Sequence, residues 1–513
     1  MYIMAFPLAT VAETNQSAPH FPTARRTWKS HGSCFYYVDD IDGDDTNSGL
    51  TFREPWKTLT PINQGVFAAG DHILLRCGGK WTGILFPGGS GVPRKPIVIG
   101  QYGYGPKPAI NAEGRYLAAV YIRNGDYWDI GSLDIANRAP NPVPKLTGVT
   151  IEQEDFGTAH DIRLHDLDIH DVTGSNDKAA GGGSGIYCAS SGLKTVTRYD
   201  GLVIENCHIT HTDRNGITMS AYYRRPEWPL STGVLIRGNL LEDIGGDGIV
   251  PIGCNGCVIE HNTLRGGRMR AQDYAAGIWP WSCDNTIIQF NEVSGMRGTN
   301  DGEGFDSDFN CRNSLFQFNY SHDNDGGFML ICDDGGQQSP WNIGNSGTVI
   351  RYNISVNDAE HTFCITGPCQ NIQIYNNVIY QKKGLNAPIV SAGNWGGGWP
   401  EGTSFLNNIF YVEGNSKFDF GGMTGVKFDS NSYWGNINPL PSDINPVLAD
   451  PKLIEPGSYS VSGYLPRPDS PLISNGKTVA QNSFSDFFGN PLPQGAAINI
   501  GAWQGAEKPS EAM

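Results

Sequence analysis

Short runs in which β-branched and aromatic residues alternate with polar ones recur along the chain, and each closes on Asn. They read GVLIRGN from Gly233, GCVIEHN from Gly256, NTIIQFN from Asn285 and NSLFQFN from Asn313, then GTVIRYN from Gly347, NIQIYNN from Asn371 and GTSFLNN from Gly402. Alternation over five to seven residues is the period of a half-buried strand, and the runs are too short for most helices. The closing residues, Asn239, Asn262, Asn291, Asn319, Asn353, Asn377 and Asn408, are separated by steps of 23 to 34 residues. Asn suits a tight bend because it tolerates the left-handed region and its amide can bond backbone. Asparagines stacked from repeat to repeat can also bond one another. Leucine-rich repeats have shorter, regular periods, and a propeller blade would show four strands. A fixed strand with loops of variable length predicts a parallel β-helix.

A second strand follows each run: GIYCA from Gly185, GITMS from Gly216, GIVPIGC from Gly248, GIWPWSC from Gly277, GFDSDFNC from Gly304, GFMLIC from Gly327 and TFCITGPC from Thr362. The position after the first residue is Ile186, Ile217, Ile249, Ile278, Phe305, Phe328 and Phe363, an aliphatic-then-aromatic column suited to an interior stack. Two residues on, a second inward column holds Cys188, Met219, Pro251, Pro280, Ser307, Leu330 and Ile365. Period 2 then turns Tyr187, Thr218, Val250, Trp279, Asp306, Met329 and Cys364 outward, with Ala189, Ser220, Ile252, Trp281, Asp308, Ile331 and Thr366 beside them.

The outward columns give the segment DGEGFDSDFN (Asp301–Asn310) a geometry. Its four carboxylates have no Lys or Arg among them. Asp306 and Asp308 project from one face roughly 6–7 Å apart, and Trp279 and Trp281 stand one coil away, about 4.8 Å along the axis. Paired carboxyls beside flat aromatics are what glycosidic cleavage needs: one protonates the leaving oxygen, the other activates water or attacks the sugar carbon, while indole faces bury the apolar faces of sugar rings. Asp301 and Glu303 lie in the feeding turn, and neighbouring turns carry Asp247, Asp273, Asp325, Glu360 and His361. His322, after the Asn319 bend, offers an acid, base or substrate donor. Trp395, in GNWGGGWPEG, is a candidate further sugar contact. The bland alternatives are turn-capping acids, a bend histidine and loop aromatics packed on the scaffold. A Ca²⁺ ion also suits an oxygen-only cluster of this kind; no cofactor is required by the chemistry. Cys254, Cys283, Cys311 and Cys332 follow the same strand in successive coils and read as a stacked column filling a bend, with no metal expected there.

Composition narrows the partners. A net charge of −16 argues against nucleic acid and anionic membrane surfaces, which need basic patches, and no apolar run approaches the ~18 residues of a membrane span. The N-terminus MYIMAFPLATVAETNQS has a short apolar stretch and a small-x-small finish at Thr10-Val11-Ala12 without a preceding basic residue, and is read as a truncated secretory signal. Eleven cysteines fix no disulfide framework.

Further stretches carry a family resemblance. FYYVDDIDGDDTNSGLTFREPWKTL (Phe35–Leu59), GDHILLRCGGKWTG (Gly70–Gly83) and PIVIGQYGYGPKPAI (Pro96–Ile110) resemble the entry of secreted right-handed parallel β-helix carbohydrate enzymes, and DFFGNPLPQGAAINIGAW (Asp486–Trp503) resembles their end. The segment from Asn300 to Cys332 is similar to the site region of β-helix glycoside hydrolases of the β-xylosidase and family 141 fucosidase/xylanase kind. The resemblance implies Asp306 and Asp308 as first catalytic candidates and Glu303 and Asp325 as the next. Lyases of the pectate-lyase type use a Lys or Arg base with Ca²⁺; the strand matching theirs here has no basic residue. The expectation is an all-β chain: a signal-like leader over 1–34, a right-handed parallel β-helix with an N-terminal cap over 35–440, and a C-terminal extension over 441–513 packed on it. The expected function is that of a secreted glycoside hydrolase acting on a polysaccharide or oligosaccharide, with a Ca²⁺-assisted lyase or a non-catalytic glycan-binding protein as the alternatives.

Overall fold

A computed structural model describes residue 20 and residues 26–225, 228–336, 341–480, 482–493 and 497–505; the signal-like stretch through Ala12 lies outside the described residues. Strands dominate. The helical elements among the described residues are single turns, Thr60–Asn63 and Val461–Tyr464, and no helix is long and apolar enough to cross a membrane.

The chain forms two compact units. The first comprises Met1–Tyr223, Glu227–Cys257 and Gly267–Tyr274, and the second Arg224–Pro226, Val258–Gly266 and Ala275–Met513. In the second unit each coil contributes a strand to up to three parallel sheets. The first sheet stacks Val258–Glu260, Ile287–Gln289, Leu315–Gln317, Val349–Arg351, Gln373–Tyr375, Ser404–Leu406 and Lys427–Asp429. The second begins at Thr263–Arg265 and ends at Ser432–Ile437. The third stacks Glu303–Ser307, Gly327–Cys332, Phe363–Thr366, Val390–Gly393 and Phe418–Asp419. The first unit repeats the pattern; its third sheet pairs Ala118–Arg123, Leu146–Glu154, Gly183–Ser191, Asn215–Ser220 and Ile249–Val250.

The alternating runs explain this stacking. Ile259, Ile288, Phe316, Ile350, Ile374, Phe405 and Phe428 pair in register from coil to coil, and all are buried. Each such side chain contributes about 1.5–3 kcal/mol of burial. The asparagines form the expected ladder: Nδ2 of Asn262, Asn291, Asn319, Asn353, Asn377 and Asn408 each donates to Oδ1 of the next Asn at 2.9–3.0 Å, ending on Asn431.

The bend itself differs from expectation. The left-handed residue is the one before each asparagine: His261, Phe290, Phe318, Tyr352, Asn376, Asn407 and Ser430 all have φ between 53° and 58°. The ladder turns the Asn amide into the interior, so the unfavourable dihedral falls on its neighbour. For bulky residues that region is strained, and aromatic stacking offsets the strain: ring centroids of His261 and Phe290, and of Phe290 and Phe318, are 4.9 Å apart.

Described residues after 441 pack on the second sheet and, through Val479 and Leu492, on Phe318, Tyr352 and Tyr375 at the asparagine bend. Leu453, Tyr464, Leu472, Ile500 and Ala502 pack against Ile354, Val356, Val378, Tyr380 and Ile409. That leaves the third sheet as the face that carries the acidic stretch.

Candidate active site

Glu303–Ser307 is the first strand of the third sheet in the second unit, and every residue in it is buried. The coil before it is joined through single bridges, Ala275 to Asp301 and Ile278 to Phe305. A local step sets the facing. In the first unit the pairing runs Thr147–Ser184 and then Val149–Ile186, passing over Gly148 and Gly185, and the hydroxyls of Thr147 and Thr150 meet at 2.6 Å on one side of the step. In the second unit Glu303 pairs with Gly327 and Phe305 with Met329, passing over Gly304 and Phe328. A Cβ on Gly304 would lie 2.7 Å from the Ser321 hydroxyl, which is in the interior. Glu303 therefore faces outward with Asp306 and Asp308.

This register corrects one coil of the predicted columns. Phe328, not Gly327, holds the place of the leading glycine, so Asp306 pairs with Leu330 and Ser307 with Ile331. Met329 and Ile331 join the interior columns with Phe363 and Ile365, and Leu330 moves outward beside Cys364. Gly327 stands opposite Glu303 and Phe328 opposite Gly304, so the glycine that leads this run in the sequence is one residue ahead of the leading position.

Outward here does not mean exposed. Asp306 and Asp308 are 3% and 7% exposed, and Trp279 and Trp281 are 4% and 1%. Phe309 and Trp341 cover Trp281 at centroid distances of 5.6 and 6.0 Å, and Trp395 adds to the cluster 6.1 Å from Phe309. The two predicted indoles thus form the floor, and the partly exposed rings are Phe309, Trp341 and Trp395.

The carboxylates converge with a thiol. One oxygen each of Asp306 and Asp308 and the sulfur of Cys332 lie within 4.8 Å of one another. Asp308 Oδ1 accepts from the Phe309 amide at 2.7 Å and from Cys332 Sγ at 3.0 Å. Asn345 Nδ2 donates to the carbonyls of Ser307, Asp308 and Cys332, tying both strands to the covering loop. Arg225 bonds Asp284 and Asn310 at the strand's end. Burial, then Asp308 and Asp306, push the Cys332 thiol well above the usual range. Ca²⁺ takes six to eight oxygens; the three side chains brought together here supply two carboxylates and a thiol. Of the expected cysteine column, Cys283 and Cys311 are stacked, with the Cys283 amide 3.4 Å from Cys311 Sγ; Cys332 belongs to the acidic site.

The remaining candidates divide. Glu303 Oε1 lies 2.9 Å from His361 Nε2. Asp301, with φ +60°, opens the strand, and Asp325 in the adjoining turn accepts from the Gly298 amide at 2.9 Å. Burial, then the carboxylates of Glu303, Asp301 and Asp306, raise the Cys364 thiol. His322 sits on the second sheet, 3.0 Å from Asp323 and stacked on Tyr320, with the C-terminal Tyr459 beside it. Its strand belongs to a different sheet because it follows the Asn319 bend directly. Asp273 belongs to the first unit, where it lies 3.0 Å from the buried Arg214 and accepts from the Lys178 amide.

Sequence reasoning missed Trp341, Phe309, Asn345, Cys332 and Cys364 as site residues. A signal was available in the steps: the longest, between Asn319 and Asn353, contains Trp341 and Asn345, and the step between Asn377 and Asn408 contains Trp395.

Comparison with known proteins agrees with this architecture. Residues 118–293 match the model of the right-handed beta helix region. The chain folds as a right-handed parallel β-helix. It is 27% identical over 603 residues to a lacto-N-biosidase of Bifidobacterium longum subsp. longum, an alignment covering 97% of this chain and 36% of that protein. The chain thus spans about a third of the curated relative's length. The crystal structure of a GH136 lacto-N-biosidase from Eubacterium ramulus is similar with a TM-score of 0.61 and 28% identity, over 70% of this chain and 65% of that one. XylC, solved in complex with xylose, shares the fold at a TM-score of 0.52 and 12% identity, covering 93% of this chain and 99% of its own.

Proposed function

We propose that the protein is a glycoside hydrolase that cleaves an oligosaccharide presenting a lacto-N-biose unit, the activity named for its relatives. The observation that carries the reading is the approach of the Asp306 and Asp308 carboxyls beneath an aromatic rim. One carboxyl protonates the departing glycosidic oxygen, and the other attacks the sugar carbon or activates water. Phe309, Trp341 and Trp395 supply ring faces for the sugar. Like charges so close disfavour double ionisation, so one carboxyl is suited to donate the proton and the other to act as its ionised partner.

A lyase reading finds less support. The five strands of the third sheet in the second unit contain no Lys or Arg to remove a proton. Export is part of the proposal and is supported by the signal-like N-terminus.

The test is release of p-nitrophenol from p-nitrophenyl lacto-N-bioside, run beside a panel of plant, algal and microbial polysaccharides assayed for new reducing ends. Inactivity on all of them, with intact fold, overturns the hydrolase reading. Ultraviolet-absorbing unsaturated products would establish a lyase instead.

A further inference from the structure

Glu303 and His361 are 58 residues apart, yet His361 Nε2 lies 2.9 Å from Glu303 Oε1. Two coils separate them, roughly 10 Å along the axis. Gly327 occupies the coil between. It pairs with Glu303, and Met329, two residues on, pairs with Phe363, two residues after His361. A Cβ on Gly327 would stand 2.3 Å from the His361 carbonyl oxygen and 2.8 Å from its ring Cδ2. The absent side chain is what lets the imidazole reach across a whole coil.

That bond uses one carboxyl oxygen. Oε2 of Glu303 is buried and has no hydrogen-bond partner among the described residues. Such an acceptor is costly to leave unsatisfied, and the residue is fixed by the Gly327 notch and held by His361. Glu303 faces the same side as Asp306.

On the glycoside hydrolase reading, we propose that Glu303 Oε2 accepts a hydrogen bond from a donor on the substrate, a hydroxyl or acetamido N–H of the sugar at the scissile bond, with Gly327 and His361 as positioning residues. The imidazole donates to Oε1 and so aims Oε2. A buried acceptor built for one donor rejects analogues lacking it, because it is then left unpaired. Glu303 is thereby a specificity determinant distinct from the Asp306 and Asp308 pair.

The experiment is calorimetric titration of the full chain with lacto-N-biose and with derivatives each lacking one hydroxyl or the acetamido N–H. The wild type should lose about 10- to 100-fold in affinity for one derivative. Glu303→Gln keeps the size of the side chain and an oxygen for His361 but replaces the Oε2 acceptor with an amide donor. It should bind the parent sugar weaker by a similar factor and bind that derivative no worse than the parent, with an unchanged thermal midpoint. A flat wild-type series overturns the inference without any variant, and so does Glu303→Gln that discriminates like the wild type. Wild type that binds no sugar overturns the inference together with the hydrolase reading. Binding without discrimination leaves the hydrolase reading standing and overturns the inference alone.

Discussion

The thiol of Cys332 stands 3.0 Å from Oδ1 of Asp308, on the strand one coil further along. With the Phe309 amide on the same oxygen, Asp308 has one well-anchored oxygen and is held in a fixed orientation. Replacing either acid should remove the chemistry: Asp306→Asn and Asp308→Asn should each lower kcat by at least ~100-fold, the scale of general acid/base assistance. Cys332→Ser keeps a donor and should retain most turnover. If Asp301→Asn costs more than Asp306→Asn, the carboxyl pair has been misassigned.

Stereochemistry follows from the same spacing. Retaining enzymes place their carboxyls about 5–5.5 Å apart and inverting ones about 6.5–9.5 Å. One oxygen of Asp306 and one of Asp308 lie within 4.8 Å of each other, too close for a water to be held between those two atoms, and on that ground the first-formed product is expected to keep the anomeric configuration of the substrate. Proton NMR of the fresh product decides it, and an inverted anomer would exclude these two acids as the pair.

The asparagine ladder should be a large source of stability. Asn319 donates to Asn353 and to the Ile288 carbonyl, and its Oδ1 accepts from the amide and Nδ2 of Asn291. Asn319→Ala orphans several buried groups at about 1–3 kcal/mol each, so a loss on the order of 3 kcal/mol is expected in urea unfolding. A change below about 0.5 kcal/mol would refute a structural role for the ladder.

Asp358 makes stability depend on pH. Burial pushes it up to about 6 against the hydrogen bonds of Ser355, Ser321 and Asn324. Because the folded pKa exceeds the unfolded one, its contribution is fully present below about pH 4 and is lost as pH rises through about 6, on the order of 3 kcal/mol. Asp358→Asn should remove that slope, so the variant gains on the wild type between pH 4 and 6. Parallel stability curves over that range would show that Asp358 is not the group responsible.

Much of this was legible in the sequence because the solenoid repeats it. The Asn steps and the interior columns reappear as ladder and register, and Asp306 and Asp308 stand together as period 2 requires. What escaped was non-periodic. Gly327 stands opposite Glu303, so a column aligned on that glycine is one residue out of register in that coil, and the loops carrying Trp341 and Trp395 cover the outward face by contacts that no strand period encodes. His322 was offered on its chemistry alone, and its place on the second sheet was not readable because a bend in sequence does not say which sheet comes next.

The ladder also bears on how such a chain can change over generations. Every rung in the second unit joins the same two chemical groups at nearly the same distance, so no rung identifies its own neighbour. A whole coil can be lost or duplicated and the amides on either side of the seam still find a complementary partner. Loop length drifts freely outside that seam, as the steps of 23 to 34 residues record. The scaffold therefore tolerates recombination at its asparagines, and new loops can be set over the acids without redesigning the interior.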